Sequence, residues 1–158
     1  FTKKYDNFDE IPTFYNWDLR RLFKKKNNRY FIKVRFSPKF LTNLPGLFGK
    51  GKSVTYVCIQ LAFVMGFEDV YLIGKDHSYN TDKKVGKKVV SSGNDGNHFL
   101  KNYYNKGQVY IAPDYIGEEF AYKVSRDVFE KNNRIIKDAT INGKLNVFEK
   151  IDFYDLFD

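Results

Sequence analysis

The chain predicts an α/β domain with a mostly parallel sheet flanked by helices. Two helical patterns, near residues 53–65 and 115–132, alternate with short apolar runs at 69–74 and 134–136. Helices that alternate with short strands in this way are typical of parallel sheets. The 158 residues are enough for one domain with a sizeable core, so we expect a single domain over 1–158. The expected architecture is Rossmann-like.

The first helix is the element around which the chain is organised. Ser53 has the hydroxyl typical of an N-cap, and Gly66 is a residue that commonly ends helices. The positions between them are apolar nearly all round, which predicts a buried helix. One predicted apolar side comprises Val54, Val57, Cys58, Leu61, Ala62 and Met65.

The second helix and the N-terminal segment carry weaker patterns. In the helix near 115–132, we expect Phe120, Val124 and Val128 to face the core. Residues 1–28 are hard to assign, although a loose amphipathic pattern indicates a helix at 15–26. The alternating run at 30–36 predicts a strand.

A long polar segment follows the core strand at residues 79–108, and a brief strand is predicted at 109–111. Loops of this length inside a domain are usually functional or disordered. An active-site lid and a disordered insertion both fit the pattern.

The net charge is +8, and a basic surface suits nucleic acid, an anionic membrane or a phosphorylated small ligand. Lysine as the default surface residue would give the same value. The single cysteine, Cys58, allows no disulfide within the chain, so we expect a cytoplasmic location. No apolar run reaches the roughly 18 residues of a membrane span.

Residues Gly46 to Ser53 satisfy the P-loop pattern G-x-x-x-x-G-K-[ST]. A true P-loop starts where a core strand ends, but the predicted strand ends near Phe36, and Pro38 and Pro45 follow it. We therefore do not expect a P-loop. Backbone N–H groups at a helix N-terminus still favour an anion, which predicts an anion site near Gly51 and Ser53.

Polar residues with chemical potential lie at the end of the core strand and in the long loop. Asp76, His77 and Ser78 follow the strand, where ligands bind in open α/β sheets. His98 lies in the loop. Asp76 and Asp95 could bind Mg²⁺ beside a triphosphate, and no Cys/His cluster has zinc spacing.

Nucleic-acid binding is a further interpretation of the basic and aromatic residues. Tyr103 and Tyr104, beside Lys101 and Lys106, would suit base stacking. No DNA- or RNA-binding motif is present, and the basic residues are scattered along the chain. We therefore expect no nucleic-acid partner.

Several stretches together are similar to a known bacterial family. They are Gly51-Lys-Ser-Val-Thr-Tyr56, Met65-Gly-Phe67, Val70-Tyr-Leu-Ile-Gly-Lys-Asp-His-Ser78, Asp95-Gly-Asn-His-Phe99 and a closing stretch from Thr140 to Phe148. In them the chain resembles the 6-hydroxymethylpterin diphosphokinase-like proteins, a group that includes flagellin-modifying motility accessory factors. The resemblance covers residues 36–157. It departs at Lys75, where relatives tend to have a small apolar residue.

A more distant resemblance links the same stretches to bacterial sialyltransferases that use CMP-activated sialic acid. Asn94-Asp-Gly-Asn-His98 is similar to their loop, whose histidine deprotonates the acceptor hydroxyl without a metal. The resemblance implies that His98 is the general base, with Asp76 in the same catalytic site. It also implies nucleotide or donor binding by Gly51, Ser53, His77, Ser78, Tyr79 and Asn97.

The resemblance implies a nucleotide-sugar-dependent glycosyltransferase acting on cell-surface glycans. Its partners would be a nucleotide-activated sugar and a glycan acceptor, with no cofactor. One alternative is Mg²⁺-dependent pyrophosphoryl transfer from ATP to a hydroxymethylpterin, and another is a non-enzymatic basic binding module. Relatives begin with a strand and a G-x-G-P-S-type turn that is not found before residue 36. We therefore expect the chain to form the carboxyl-terminal part of a larger domain.

Overall fold

The computed structural model describes residues 11–78, 86–91, 93 and 105–157. In these residues the protein is a mixed α/β structure with two α-helices and several small, mostly parallel sheets. The helices are α1 (Val54–Val64) and α2 (Tyr115–Lys131). The strands are β1 (Thr13–Asn16), β2 (Arg29–Ile32), β3 (Val34–Arg35), β4 (Phe48–Gly49), β5 (Asp69–Leu72), β6 (Lys88–Val90), β7 (Val109–Ile111), β8 (Ile135–Asp138) and β9 (Glu149–Lys150).

The largest sheet in this part of the chain has three parallel strands in the order β5-β8-β9. Asp69 pairs with Ile135 at the start of β5, and Leu72 pairs with Asp138 at its end. The pairs β1–β2 and β3–β4 are also parallel, whereas β6–β7 is antiparallel. The predicted α/β class and mostly parallel pairing are confirmed.

The N-terminal prediction was wrong in detail. The expected helix at 15–26 is instead β1 followed by a short 3-10 helix at Trp17–Leu19. The Asn16 side chain accepts a hydrogen bond from the Asp18 N–H, which ends the strand and starts this single turn. The strand predicted at 30–36 is divided at Lys33 into β2 and β3.

Helix α1 begins as predicted but is not buried all round. The Ser53 hydroxyl accepts a hydrogen bond from the Thr55 N–H at 3.1 Å, as an N-cap does. Tyr56, Ile59 and Phe63 are buried. The opposite face is exposed, with Val54 at 76% and Cys58 also exposed, so the prediction of an enclosed helix was wrong. An apolar pattern on all sides could not indicate which face packs.

The core lies between α1, α2 and the three-stranded sheet. The rings of Phe40, Phe63 and Phe129 meet edge-to-face at centroid distances of 5.4 Å (40–63), 6.3 Å (40–129) and 5.1 Å (63–129). Leu72 and Ile136 approach them from β5 and β8.

No helix in the described ranges is long and apolar enough to cross a membrane.

The inner face of α2 differs from the prediction at one position. Tyr122, Ser125 and Phe129 recur at helical spacing and are fully buried, whereas Phe120 is 57% exposed. Val124 and Val128 are partly buried against the core, as expected. The expectation for Phe120 was wrong because Phe120 lies outside the buried face of α2, which is formed by Glu118, Ala121, Tyr122, Ser125 and Phe129.

A buried glutamine ties α1 to the strand before it. The Gln60 carbonyl oxygen accepts hydrogen bonds from the N–H groups of Leu41 at 3.0 Å and Gly49 at 2.9 Å. Its amide nitrogen donates to the carbonyl oxygens of Gly49 at 2.8 Å and Tyr56 at 2.9 Å. Gln60 is fully buried, so these bonds satisfy an amide that would otherwise be costly to bury.

Gln60→Leu should lower the free energy of unfolding by about 2–5 kcal/mol, because the N–H groups of Gly49 and Leu41 would lose their acceptor. Chemical denaturation measures this change. Gln108→Leu is the matched control, since Gln108 is exposed and surface substitutions cost about 0.5 kcal/mol. Equal losses for the two variants would contradict the bracing role of Gln60.

The buried Tyr56 predicts a specific dependence of stability on pH. Its hydroxyl donates a hydrogen bond to the Pro38 carbonyl, and burial raises the pKa of Tyr56 above its ordinary value. The unfolded chain releases this proton near pH 10 while the folded chain retains it. The contribution of the protonated Tyr56 hydroxyl to the free energy of unfolding is therefore fully present below about pH 10 and is lost as pH rises further.

We expect the unfolding free energy of the native chain minus that of Tyr56→Phe to shrink as pH rises above about 10. Urea denaturation at a series of pH values measures this difference. Tyr154→Phe, at a position that is 69% exposed, controls for removal of a surface hydroxyl. A difference independent of pH would mean that Tyr56 ionises equally in both states.

Candidate functional site

The carboxyl ends of β5 and β8 lie beside the N-terminal turns of α1 and α2. The loop after β8 holds the loop after β5: the Thr140 hydroxyl accepts a hydrogen bond from the Lys75 N–H at 3.0 Å, and the Lys144 N–H donates to the Asp76 carbonyl at 2.8 Å. Thr140 is itself fixed by the buried Asp138 carboxylate, which accepts its N–H at 2.9 Å. The backbone that carries Asp76 and His77 is therefore braced from β8.

A partly buried ion pair joins the β5 loop to α2. The Lys75 ammonium lies 3.0 Å from the Glu118 carboxylate, with side chains 16% and 7% exposed. The same ammonium lies 5.6 Å from the centre of the Tyr122 ring, a favourable cation–π distance. The Tyr122 hydroxyl donates to the Ser53 hydroxyl at 2.9 Å, so these contacts connect both helix N-termini to the end of β5.

His77 faces α2 rather than solvent. Its Nε2 lies 2.9 Å from a Glu119 carboxylate oxygen, its Nδ1 lies 3.9 Å from Glu118, and its side chain is 5% exposed. The backbone at His77 has φ +51°, in the left-handed region that is uncommon for a residue with a side chain. In this conformation the imidazole lies against the first turns of α2. The neighbouring Asp76 and Ser78 are exposed.

Gly51 lies where the turn before α1 packs against α2. Its φ is +51°, and a Cβ added there would collide with the Tyr56 ring and lie 2.8 Å from the Ala121 Cβ. Only glycine meets both the backbone and the space requirement. The next residue, Lys52, has its ammonium 3.3 Å from the Asp114 carboxylate. Gly51 therefore sets how closely the two helix N-termini approach each other.

The structure supplies a reason why residues 46–53 do not form a P-loop. Phe48 and Gly49, in the middle of the pattern, form β4 and pair with Val34 and Arg35. Gln60 bonds both the N–H and the carbonyl of Gly49. The backbone that would surround a phosphate is therefore already hydrogen-bonded within the fold.

The two helix N-termini differ in charge. Helix α1 has no acidic residue in its first turn. Helix α2 begins with Asp114, whose carboxylate accepts the Gly117 N–H at 2.9 Å, and carries Glu118 in its first turn. Carboxylates repel an anionic ligand while they satisfy the positive end of a helix. An anion therefore fits the start of α1 better than the start of α2.

Of the predicted site residues, Ser53 is linked through Tyr122 to Lys75, the residue before Asp76 and His77. Gly51 lies in the turn before Ser53, and Ser78 is exposed at the end of the β5 loop. The other predicted site residues, Tyr79, Asn97 and His98, and the predicted metal ligand Asp95, lie outside the described residues. In the part of the chain that is described, no group of three or more His, Cys, Asp or Glu side chains is placed to hold a metal ion.

Sequence reasoning missed the contacts that organise this region. Glu118 and Tyr122 on α2 and Thr140 after β8 are separated by 43 to 69 residues from their partners Lys75 and Ser53. One signal was present in the sequence. Lys75 directly follows the predicted core strand, and a lysine that is partly buried at such a position needs an acidic partner.

Comparisons of this chain with protein-family models, with curated proteins and with solved structures give no match.

Glu118→Gln should destabilise the protein by about 3–5 kcal/mol, because it leaves the partly buried Lys75 ammonium without this counter-charge. Thermal or chemical denaturation measures the loss. Glu149→Gln is the matched control, since Glu149 pairs with Lys137 but is 68% exposed, and we expect a much smaller change. Comparable losses in the two variants would show that burial does not strengthen the Lys75–Glu118 contact.

Proposed function

We propose that the chain belongs to a nucleotide-sugar-dependent glycosyltransferase that acts on cell-surface glycans, with a CMP-sialic-acid-like donor. One observation carries the proposal. The exposed Asp76 and Ser78 follow β5 on a backbone braced from β8, and this loop is linked through Tyr122 to the start of α1, which has no acidic residue in its own first turn. Strand ends beside a helix N-terminus are where open α/β sheets bind nucleotides.

We further propose that the sheet β5-β8-β9 is part of a Rossmann-like domain. The connection from β5 to β8 supports this, because it runs through α2 and returns to a parallel neighbouring strand. That is the crossover unit of which such domains are built. The ligand would then lie beyond the carboxyl ends of β5 and β8.

The site residues take different roles in this proposal. The donor phosphate lies near the N-terminus of α1, where Gly51 and Ser53 hold the turn. Asp76, Ser78, Tyr79 and Asn97 contact the donor, and His77 positions the β5 loop through Glu119. His98 takes the proton from the acceptor hydroxyl, a step suited to an imidazole with an ordinary pKa near 6.5. Proton removal of this kind needs no metal.

Pyrophosphoryl transfer from ATP is the second candidate, and the exposure of Asp76 favours it. A carboxylate at a strand end beside a helix N-terminus is a common arrangement for Mg²⁺ with a nucleotide phosphate. Asp95 would be its companion ligand. The two candidates make opposite predictions about metal dependence.

A thermal-shift titration with CMP, CDP and ATP, each with and without Mg²⁺, separates the candidates. A ligand that binds only the folded state adds about 2.7 kcal/mol at a hundredfold excess over Kd, a rise in Tm of several degrees. We expect CMP to stabilise the chain without metal. Stabilisation by ATP only with Mg²⁺ would favour the diphosphokinase, and no stabilisation by any nucleotide would count against both.

His98→Ala should lower sugar transfer by about 10²- to 10⁴-fold, the usual contribution of a general base. Stabilisation by CMP should be retained, because the base contacts the acceptor and not the nucleotide. Lys123→Ala, at an exposed position on α2, is the control for a change remote from the site. Unchanged transfer by His98→Ala would show that another group takes the proton.

A further inference from the structure

The basic residues are concentrated in one part of the chain. Residues 19–67 contain 11 Lys and Arg and no Asp or Glu, whereas the rest of the chain has 16 Lys and Arg against 19 Asp and Glu. The whole excess of positive charge therefore lies in the segment that begins at Leu19, the last residue of the 3-10 helix, and ends shortly after α1. A surface with one sign of charge attracts partners of the opposite sign.

Exposed rings and aliphatic side chains lie among these cations. The Arg20 guanidinium lies 4.7 Å from the Trp17 ring centre, and the Lys33 ammonium lies 5.2 Å from the same ring. The Lys50 ammonium lies 4.5 Å from the Phe36 ring. We call Trp17, Arg20, Lys33, Phe36, Leu47 and Lys50 the basic–aromatic surface.

The strand pair β3–β4 brings the members of this surface close together along the backbone. The Lys33 carbonyl accepts the Phe48 N–H at 2.9 Å, which places Lys33 beside Leu47, the residue before β4. The Arg35 carbonyl accepts the Lys50 N–H at 2.9 Å, which places Phe36 beside Lys50. The pairing of these two short strands therefore places a cation next to an apolar side chain at both ends of the pair.

The apolar members of the surface are exposed, Phe36 most of all. Phe36 is 91% exposed, Leu47 is 40% exposed and Trp17 is 39% exposed, and the loop before β4 adds Leu44 at 64%. Exposed apolar side chains grouped within a patch mark interaction sites more often than isolated ones do. Removal of this area from water would favour any partner that covers it.

We propose that the basic–aromatic surface docks on a membrane surface that carries anionic lipid headgroups. Lysine and arginine ammonium and guanidinium groups would contact lipid phosphates and carboxylates, while Phe36 and Leu47 enter the boundary between headgroups and acyl chains. Tryptophan is enriched at this boundary because its ring is apolar and its N–H is polar. This association is peripheral and independent of the proposed transfer reaction.

The side chains favour a lipid surface over single-stranded nucleic acid. Bases stack on free aromatic faces, but Arg20 and Lys33 both lie against the Trp17 ring. Leu44 and Leu47 offer no stacking surface, yet they suit insertion among lipid headgroups. An anionic bilayer uses both the cations and the aliphatic side chains.

Co-sedimentation with vesicles tests the proposal. We expect the chain to bind vesicles of phosphatidylcholine mixed with phosphatidylserine, to release them as salt rises, and to bind phosphatidylcholine alone only weakly. Lys33→Glu combined with Lys50→Glu should weaken binding by about 25-fold or more, from roughly fivefold for each cation removed. Phe36→Ser should weaken it severalfold while leaving the salt dependence in place.

Matched variants on α2 serve as controls. Lys123→Glu combined with Lys131→Glu makes the same change in net charge at exposed positions away from the surface, and Phe120→Ser removes a ring that is 57% exposed. Both should leave vesicle binding nearly unchanged. Circular dichroism and thermal unfolding test whether each variant is folded. If the variant with Lys33→Glu and Lys50→Glu does not fold, the variant with Lys33→Gln and Lys50→Gln takes its place.

Three outcomes would overturn the proposal. Equal binding to neutral and anionic vesicles would show that charge is not recognised. Equal weakening by the α2 controls would show that only net charge matters. The third outcome is that the chain does not bind vesicles but binds a single-stranded oligonucleotide in a salt-dependent manner. If Phe36→Ser also weakens that binding, the surface is a nucleic-acid site.

Discussion

The hydrogen bonds of Gln60 are the constraint on which the start of α1 and the strand before it depend. This buried amide holds both backbone groups of Gly49, and Gly49 in turn pairs with Arg35 in β3. Gly51 and Ser53 follow within four residues, so the position of the α1 N-terminus is set by a side chain from within the helix. A buried glutamine is tolerated here because every bond it makes replaces one to water.

A second set of contacts fixes the same helix N-terminus from the other side. Lys75 reaches Glu118 and the Tyr122 ring, and Tyr122 donates to Ser53. The carboxylates that make this possible occupy the positive end of α2, which leaves the start of α1 as the end with no acidic residue in its first turn. The distribution of carboxylates thus distinguishes two helix N-termini that would otherwise be equivalent anion sites.

Local signals in the sequence predicted the two α-helices and the parallel strands β5 and β8, because caps and apolar runs act over a few residues. Ser53 capped α1 as expected, and the 115–132 pattern became α2. The buried face of α1 could not be predicted, since an all-apolar helix gives no preference. The Lys75–Glu118 and Tyr122–Ser53 contacts could not be predicted either, because they depend on how the crossover returns α2 to the sheet. The small sheets also differ from the single continuous sheet that the pattern suggested.

The distribution of charge along the chain bears on whether the net charge of +8 reflects only a general use of lysine at the surface. A chain that uses lysine as its default surface residue should intersperse acidic residues at a similar frequency throughout. Residues 19–67 have none, although the rest of the chain has 19. In the same segment Phe36 is 91% exposed beside Lys50, an arrangement that contributes nothing to the core. Separation of charge and exposure of an aromatic ring in one segment are better explained by an anionic partner than by composition.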